Sequence, residues 1–240
     1  MYSILEAKNA IKDAVKAYLV KNGKGGYVMN EVNRLPLYLE GKPGIGKTMI
    51  VSQIAEEMGI GFVNFSLTHH SRNTVLGLPV IEEVNNVKHT EYTMSEIIAK
   101  VQEAYEKGQK EGILLLDEFN CMSDTILPLM LAFLQTKNIG MHALPEGWVI
   151  VLCGNPKEYN KSARTFDAAI LDRIRKIEIE FNVKDFMEYA ASTGFEYEIQ
   201  EFIAMIISGR RSSYKLRRRE SVTIAEIIDK FNNKENYIEL

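Results

Sequence analysis

The sequence predicts a P-loop NTPase three-layer αβα sandwich on a parallel sheet, and three observations carry that prediction. Five short apolar runs, most of them continuous in leucine and β-branched residues, alternate with helical segments between Leu35 and Ile179. Runs of that kind suit strands covered on both faces, as in parallel sheets packed between helix layers. The octapeptide Gly41-Lys42-Pro43-Gly44-Ile45-Gly46-Lys47-Thr48 fits G-x-x-x-x-G-K-[ST] and stands between the first run and a helix. A later run, Ile113-Leu114-Leu115-Leu116, ends in the adjacent carboxylates Asp117 and Glu118.

Taken in order, Ile4, Leu5, Ile11, Val15 and Leu19 recur at near-helical spacing and predict an amphipathic helix over 3–20, ended by Gly23, Gly25 and Gly26. Strands are expected at 35–39, 61–65, 113–117, 148–153 and 175–179. The stretch from Thr68 to Gly112 is long for a simple crossover. Beyond Asn182 the pattern turns helical, with Phe186, Tyr189 and Ala190, then Ile199, Phe202, Ile203 and Ile206, then Ile224, Ile227, Ile228 and Phe231. The expected domains are therefore a nucleotide-binding α/β core with its N-terminal helix over 1–182 and a small helical lid over 183–240.

Composition sets outer bounds. With 240 residues, 46% hydrophobic and 25% charged, the chain reads as globular with a sizeable core. A net charge of −3 gives no bulk electrostatic case for nucleic acid or anionic membranes. Cys121 and Cys153 lack metal-ligand spacing and read as buried thiols. Residues 1–6 show no basic region followed by an apolar core, and no run approaches a membrane span, so a cytoplasmic location is expected.

The octapeptide has a physical logic. Glycines let backbone N–H groups approach a polyphosphate, and the following helix presents its positive end to the anion. Gly41, Pro43, Gly44, Ile45, Gly46, Lys47, Thr48 and Met49, together with Asp117, form the expected ATP-binding set. Lys47 would reach the β- and γ-phosphates, while Thr48 and Asp117 would hold Mg²⁺. Glu118 would polarise the attacking water. Val149-Ile150-Val151-Leu152-Cys153-Gly154-Asn155-Pro156 is a further strand ending at the same edge, so Asn155 could orient that water or meet the γ-phosphate; taken alone, Asn-Pro is also an ordinary turn opener.

These motifs, with Leu76-Gly77-Leu78-Pro79-Val80, Leu144-Pro145-Glu146-Gly147-Trp148 and Phe166-Asp167-Ala168-Ala169-Ile170-Leu171-Asp172-Arg173-Ile174, follow one another in an order that resembles the AAA+ ATPases, and within them the MoxR-like branch. The resemblance covers about residues 35–182. It implies Mg²⁺-dependent ATP hydrolysis in a ring, usually hexameric, that remodels a protein client, with von Willebrand factor A domain proteins as frequent partners. It also implies that Asn155 occupies the sensor 1 position and that Arg173 is the arginine finger offered to a neighbouring subunit, with Arg175 in reserve.

An insertion in the second helix is expected over 76–89, with loops lining the upper face of the ring. His69, His70 and His89 lack a spacing that would gather them with acidic partners, and read as solvated loop histidines. A sensor 2 arginine is expected from the lid, Arg218 or Arg219 being favoured over Arg210, Arg211 and Arg217. The alternative function is a DNA-associated motor subunit of a restriction-type complex, although nucleic acid is not favoured because no aromatic platform beyond Tyr214 interleaves the basic run. A nucleotide-gated binding module is opposed by the Asp117-Glu118 pair. A small-molecule kinase is opposed by that pair and by the lack of an acceptor-binding insert with clustered arginines.

Overall fold

Ser3 accepts the backbone N–H of Glu6 while the Glu6 side chain accepts that of Ser3, and this reciprocal box opens the helix α1 (Ile4–Tyr18). The computed structural model describes residues 1–68, 70–84, 87–182 and 185. After α1 come β1 (Leu37–Gly41), α2 (Lys47–Met58), β2 (Gly61–Ser66), α3 (Arg72–Leu76), β3 (Pro79–Val84), β4 (Val87–Tyr92), α4 (Glu96–Glu106) and β5 (Gly112–Asp117). Then follow α5 (Leu127–Thr136), β6 (Asn138–Ile139), β7 (His142–Ala143), β8 (Trp148–Gly154), α6 (Ala168–Leu171) and β9 (Arg175–Ile179).

The five predicted strands are the five strands of one parallel sheet, ordered β2-β5-β8-β1-β9. The first begins at Leu37 rather than Leu35, because Pro36 has no N–H to give to a ladder. Instead its carbonyl accepts the N–H of Arg175 at 2.8 Å, which aligns the start of β9. Tyr2 forms one further parallel bridge at Ile179, on the outer side of β9.

Strand side chains alternate between faces, and the core divides accordingly. Leu114 and Leu116 of β5 join Ile97, Ile98 and Val101 of α4 and Met130, Phe133 and Leu134 of α5. Ile113 and Leu115 join Ala7, Ile11 and Val15 of α1 and Val51, Ile54 and Ala55 of α2. Helices thus cover both faces, and the three-layer class is confirmed. Trp148, at the start of β8, lies buried across the first residues of β2 and β5, where a side chain on Gly61 or Gly112 would run into its ring.

Two antiparallel hairpins are additional to the strand prediction. β3 and β4 pair from Pro79 opposite Tyr92 to Val84 opposite Val87, so the long connection holds a hairpin between α3 and α4 where an insertion over 76–89 was expected. That register corrects the expectation for His89, which stands opposite Glu82 and beside Glu91, with candidate ligand atoms of all three within 4.8 Å of one another. His70 stacks on Phe65 at 4.1 Å and also has an acidic neighbour, its Nδ1 lying 3.6 Å from a carboxylate oxygen of Glu96. β6 and β7 form the second hairpin, two residues a side, after α5. Residues Met1–Phe181 make up one structural unit. The expected lid falls, residue 185 apart, outside the described residues, as do His69 and the sensor 2 candidates. No helix among the described residues is long and apolar enough to cross a membrane.

Candidate functional site

Parallel order brings the carboxyl ends of β1, β5 and β8 side by side, and the predicted site residues gather there. The loop from β1 to α2 turns through Gly44 (φ 79°) and Gly46 (φ 89°), conformations that side chains at these positions would strain. Gly46 is the N-cap of α2 and offers no side-chain acceptor, so the first-turn N–H groups keep their capacity for an anion. Pro43 and Gly44 are exposed, and Ile45 is half-buried against the α1–α2 side of the core. Met49 is 56% exposed on the first turn of α2.

Lys47 is 8% exposed. Its Nζ donates to Gly41 O (2.8 Å), Lys42 O (2.9 Å) and Asn155 Oδ1 (2.8 Å), which uses all three ammonium protons. Burial lowers its pKa, an effect opposed by the thiol of Cys153 and by Asp117 and Glu40. Thr48 Oγ1 donates to Asp117 Oδ2 at 2.9 Å, so the two expected Mg²⁺ ligands are already neighbours. The other Asp117 oxygen accepts the N–H of Glu118 at 2.8 Å. An alcohol oxygen and a carboxylate at this separation are hard donors suited to Mg²⁺ beside a phosphate chain.

Glu118 adopts the left-handed conformation (φ 54°), at a cost of roughly 1–2 kcal/mol for a residue with a Cβ. Its carboxylate accepts Thr68 Oγ1 at 2.6 Å and Ser66 Oγ at 3.3 Å, both from the end of β2. Sequence reasoning missed these two hydroxyls. The only trace in the sequence is that both stand at the end of a predicted strand; the pairing of Ser66 with Asp117 appears only in the structure.

Asn155 meets Lys47 through its side chain, and its carbonyl accepts Nδ2 of Asn120 at 2.7 Å. Asn120, 1% exposed, was likewise missed. The two cysteines are free thiols; Cys153 is buried as expected, whereas Cys121 is half-buried. Burial, reinforced by nearby carboxylates, raises both thiol pKa values.

The arginines lie elsewhere. Arg175 pairs with Leu37, at the opposite end of β1 from Gly41. Arg173 is in the turn just before β9, between α6 and that strand. At about 3.3 Å per residue, the four steps from Leu37 to Gly41 span about 13 Å. The fold therefore gathers Lys47, Thr48, Asp117, Glu118 and Asn155, and leaves Arg173 and Arg175 at the opposite end of the strands.

A glycine loop at the end of the second strand from one edge, with a Thr–Asp pair beside it, stands on a parallel sheet flanked by helices, the P-loop NTPase fold. Residues 37–183 match the ATPase family associated with various cellular activities (AAA), and the chain belongs to that family. Over 124 residues it is 30% identical to a Lon protease of Fusobacterium nucleatum subsp. nucleatum, an alignment that takes in 51% of this chain and 14% of that protein. The chain thus spans about one seventh of that relative's length. A crystal structure of a candidate ATPase from Cytophaga hutchinsonii superposes with a TM-score of 0.48 at 19% identity, covering 82% of this chain and 59% of the other.

Proposed function

We propose that the chain hydrolyses ATP with Mg²⁺ as a MoxR-like ATPase, in a ring whose active sites lie between subunits, and that hydrolysis remodels a protein client in the cytoplasm. The observation that carries this reading is the meeting of Lys47, Thr48, Asp117, Glu118 and Asn155 at the carboxyl ends of three adjacent parallel strands. In this reading the phosphates replace the carbonyls of Gly41 and Lys42 as acceptors for Lys47, and gain the first-turn N–H groups of α2. Gly41, Pro43, Gly44, Ile45 and Gly46 shape the loop, and Met49 packs beside the nucleotide. Thr48 and Asp117 would hold Mg²⁺, which would supply positive charge to offset that of the phosphate chain.

Glu118, once released from Thr68 and Ser66, orients water for in-line attack on the γ-phosphorus. The water oxygen bonds to phosphorus as the bond to the β–γ bridging oxygen breaks, a water proton passes to the Glu118 carboxylate, and ADP and phosphate leave. Asn155 then sits between Lys47 and the γ-phosphate. Arg173 precedes β9 at the end of the sheet away from its own phosphate loop, which supports its service to a neighbour's γ-phosphate. A von Willebrand factor A domain protein as client rests on the MoxR-like resemblance.

Phosphate release from Mg-ATP tests the reading. The wild type should turn over, and Glu118→Gln should bind ATP yet lose at least about a hundred-fold in turnover. Light scattering of Glu118→Gln with ATP should give a mass near six subunits. A Glu118→Gln protein with full turnover would remove Glu118 from its assigned role.

A further inference from the structure

Asn120 stands two residues after Glu118, in the 3-10 turn Phe119–Cys121, and is among the few polar residues buried in the described core. Its Nδ2 donates to Asn155 O at 2.7 Å, across from the loop after β5 to the loop after β8. Since only the amide nitrogen can donate to a carbonyl, this bond also fixes which way the Asn120 amide faces. Its Oδ1 then lies over Gly154, so close that a Cβ there would stand 2.6 Å from it. Gly154 is thus the residue that lets the amide settle beside Asn155.

The same two loops are tied at further points. The N–H of Arg164 donates to Asn120 O at 2.9 Å, and Arg164 Nη2 donates to Met122 O. Asn160 Nδ2 reaches Cys121 Sγ at 3.1 Å. Among these ties, the Asn120 bond is the one that ends on Asn155, whose side chain holds Lys47. A single buried amide therefore connects the turn that carries Glu118 to the residue that contacts the phosphate-loop lysine.

We infer that Asn120 is a positioning residue for hydrolysis: it sets Asn155 relative to Glu118, so that the group facing the γ-phosphate and the group orienting the water hold one spacing. The inference rests on the ATPase reading above and adds a residue to it. Asn120 bonds to Asn155 and not to the phosphate loop, and Lys47 and the first-turn N–H groups of α2 do not depend on it to reach the phosphates. Its loss should therefore act on turnover and spare nucleotide affinity. Displacing a group from a developing charge by about 1 Å lowers rates by about a hundred-fold.

The test uses two variants. Asn120→Leu keeps the volume and removes the donor, and Asn120→Asp presents an oxygen to the Asn155 carbonyl. Nucleotide affinity is read by titration with a fluorescent ATP analogue, turnover by phosphate release, and folding by the melting transition. Both variants should lose at least about thirty-fold in kcat, with Kd within about three-fold of wild type. Asn160→Ala, which cuts a tie that does not end on Asn155, should stay within about three-fold in both. Should Asn120→Asp fail to fold, Asn120→Leu decides.

A kcat for Asn120→Leu within three-fold of wild type overturns the inference. So does a parallel loss of affinity and turnover, which would mark a general structural role, and so does an Asn160→Ala loss equal to that of Asn120→Leu. A wild type that binds ATP without hydrolysing it would overturn the ATPase reading itself, and is seen before any variant is measured.

Discussion

Replacing Thr68 with valine deletes one hydroxyl and keeps the shape of the side chain. That hydroxyl donates to Glu118 at 2.6 Å, and the remaining donor, Ser66, is at 3.3 Å. A hydrogen bond to a charged group contributes about 1.5–3 kcal/mol, and partial exposure together with the Ser66 contact puts this one at about 1.5 kcal/mol. Glu118 would then hold its left-handed backbone with less side-chain support. In Glu118→Gln the same substitution removes a neutral bond, about 0.5 kcal/mol, so the two sites should couple by about 1 kcal/mol.

The assay is urea denaturation of four nucleotide-free proteins: wild type, each single variant and the double. Thr68→Val alone should also lower Tm by roughly 3–6 °C. Strict additivity of the two substitutions would refute the argument, since it would mean that Thr68 acts on stability without going through the Glu118 carboxylate.

Lys47→Ala should weaken ATP binding by at least about a hundred-fold, measured by nucleotide titration; unchanged affinity would separate the loop from the nucleotide. Arg173→Ala should bind ATP yet lose turnover, and mixing it with Lys47→Ala protein should restore part of the loss if the finger acts in trans. No recovery in mixed rings would leave Arg173 a structural part of its own turn. Lys137 is buried, and burial lowers its pKa from 10.5 to about 8, with Glu31 partly opposing the shift. The unfolded chain then binds more protons between pH 8 and 10.5, so stability rises with pH across that window and is lost as pH falls back through 8. Lys137→Met should therefore gain on the wild type by about 2.5 kcal/mol more at pH 7.5 than at pH 10, read from paired denaturation curves; a pH-independent difference would remove the charge from the explanation.

The elements legible in the sequence were those whose signal is local. Short apolar runs, several of them continuous, marked all five sheet strands, and fixed spacing marked Gly41 to Thr48 and the Asp117-Glu118 pair. The β3–β4 hairpin was not legible because its two sides are largely exposed, leaving no clean alternation to read, and β6 and β7 are two residues each. Thr68, Ser66 and Asn120 are ordinary polar residues in sequence, and become part of the site only when β2, β5 and β8 lie side by side. That both Arg173 and Arg175 lie away from the loop also needed the register, which pairs Arg175 with Leu37 at the far end of β1.

Trp148 is the single tryptophan of the chain, and it lies buried against the first residues of β2 and β5. Those strands run in parallel toward the phosphate loop's edge, so the indole occupies the end away from the nucleotide. Its fluorescence is thus an internal optical gauge of the sheet, blue-shifted while the strands stay packed and red-shifted when they part. Because the emission comes from the far end of the sheet, ATP can be added without dimming the signal by direct contact. Any change in the unfolding midpoint on adding nucleotide can then be read as linkage between binding and folding.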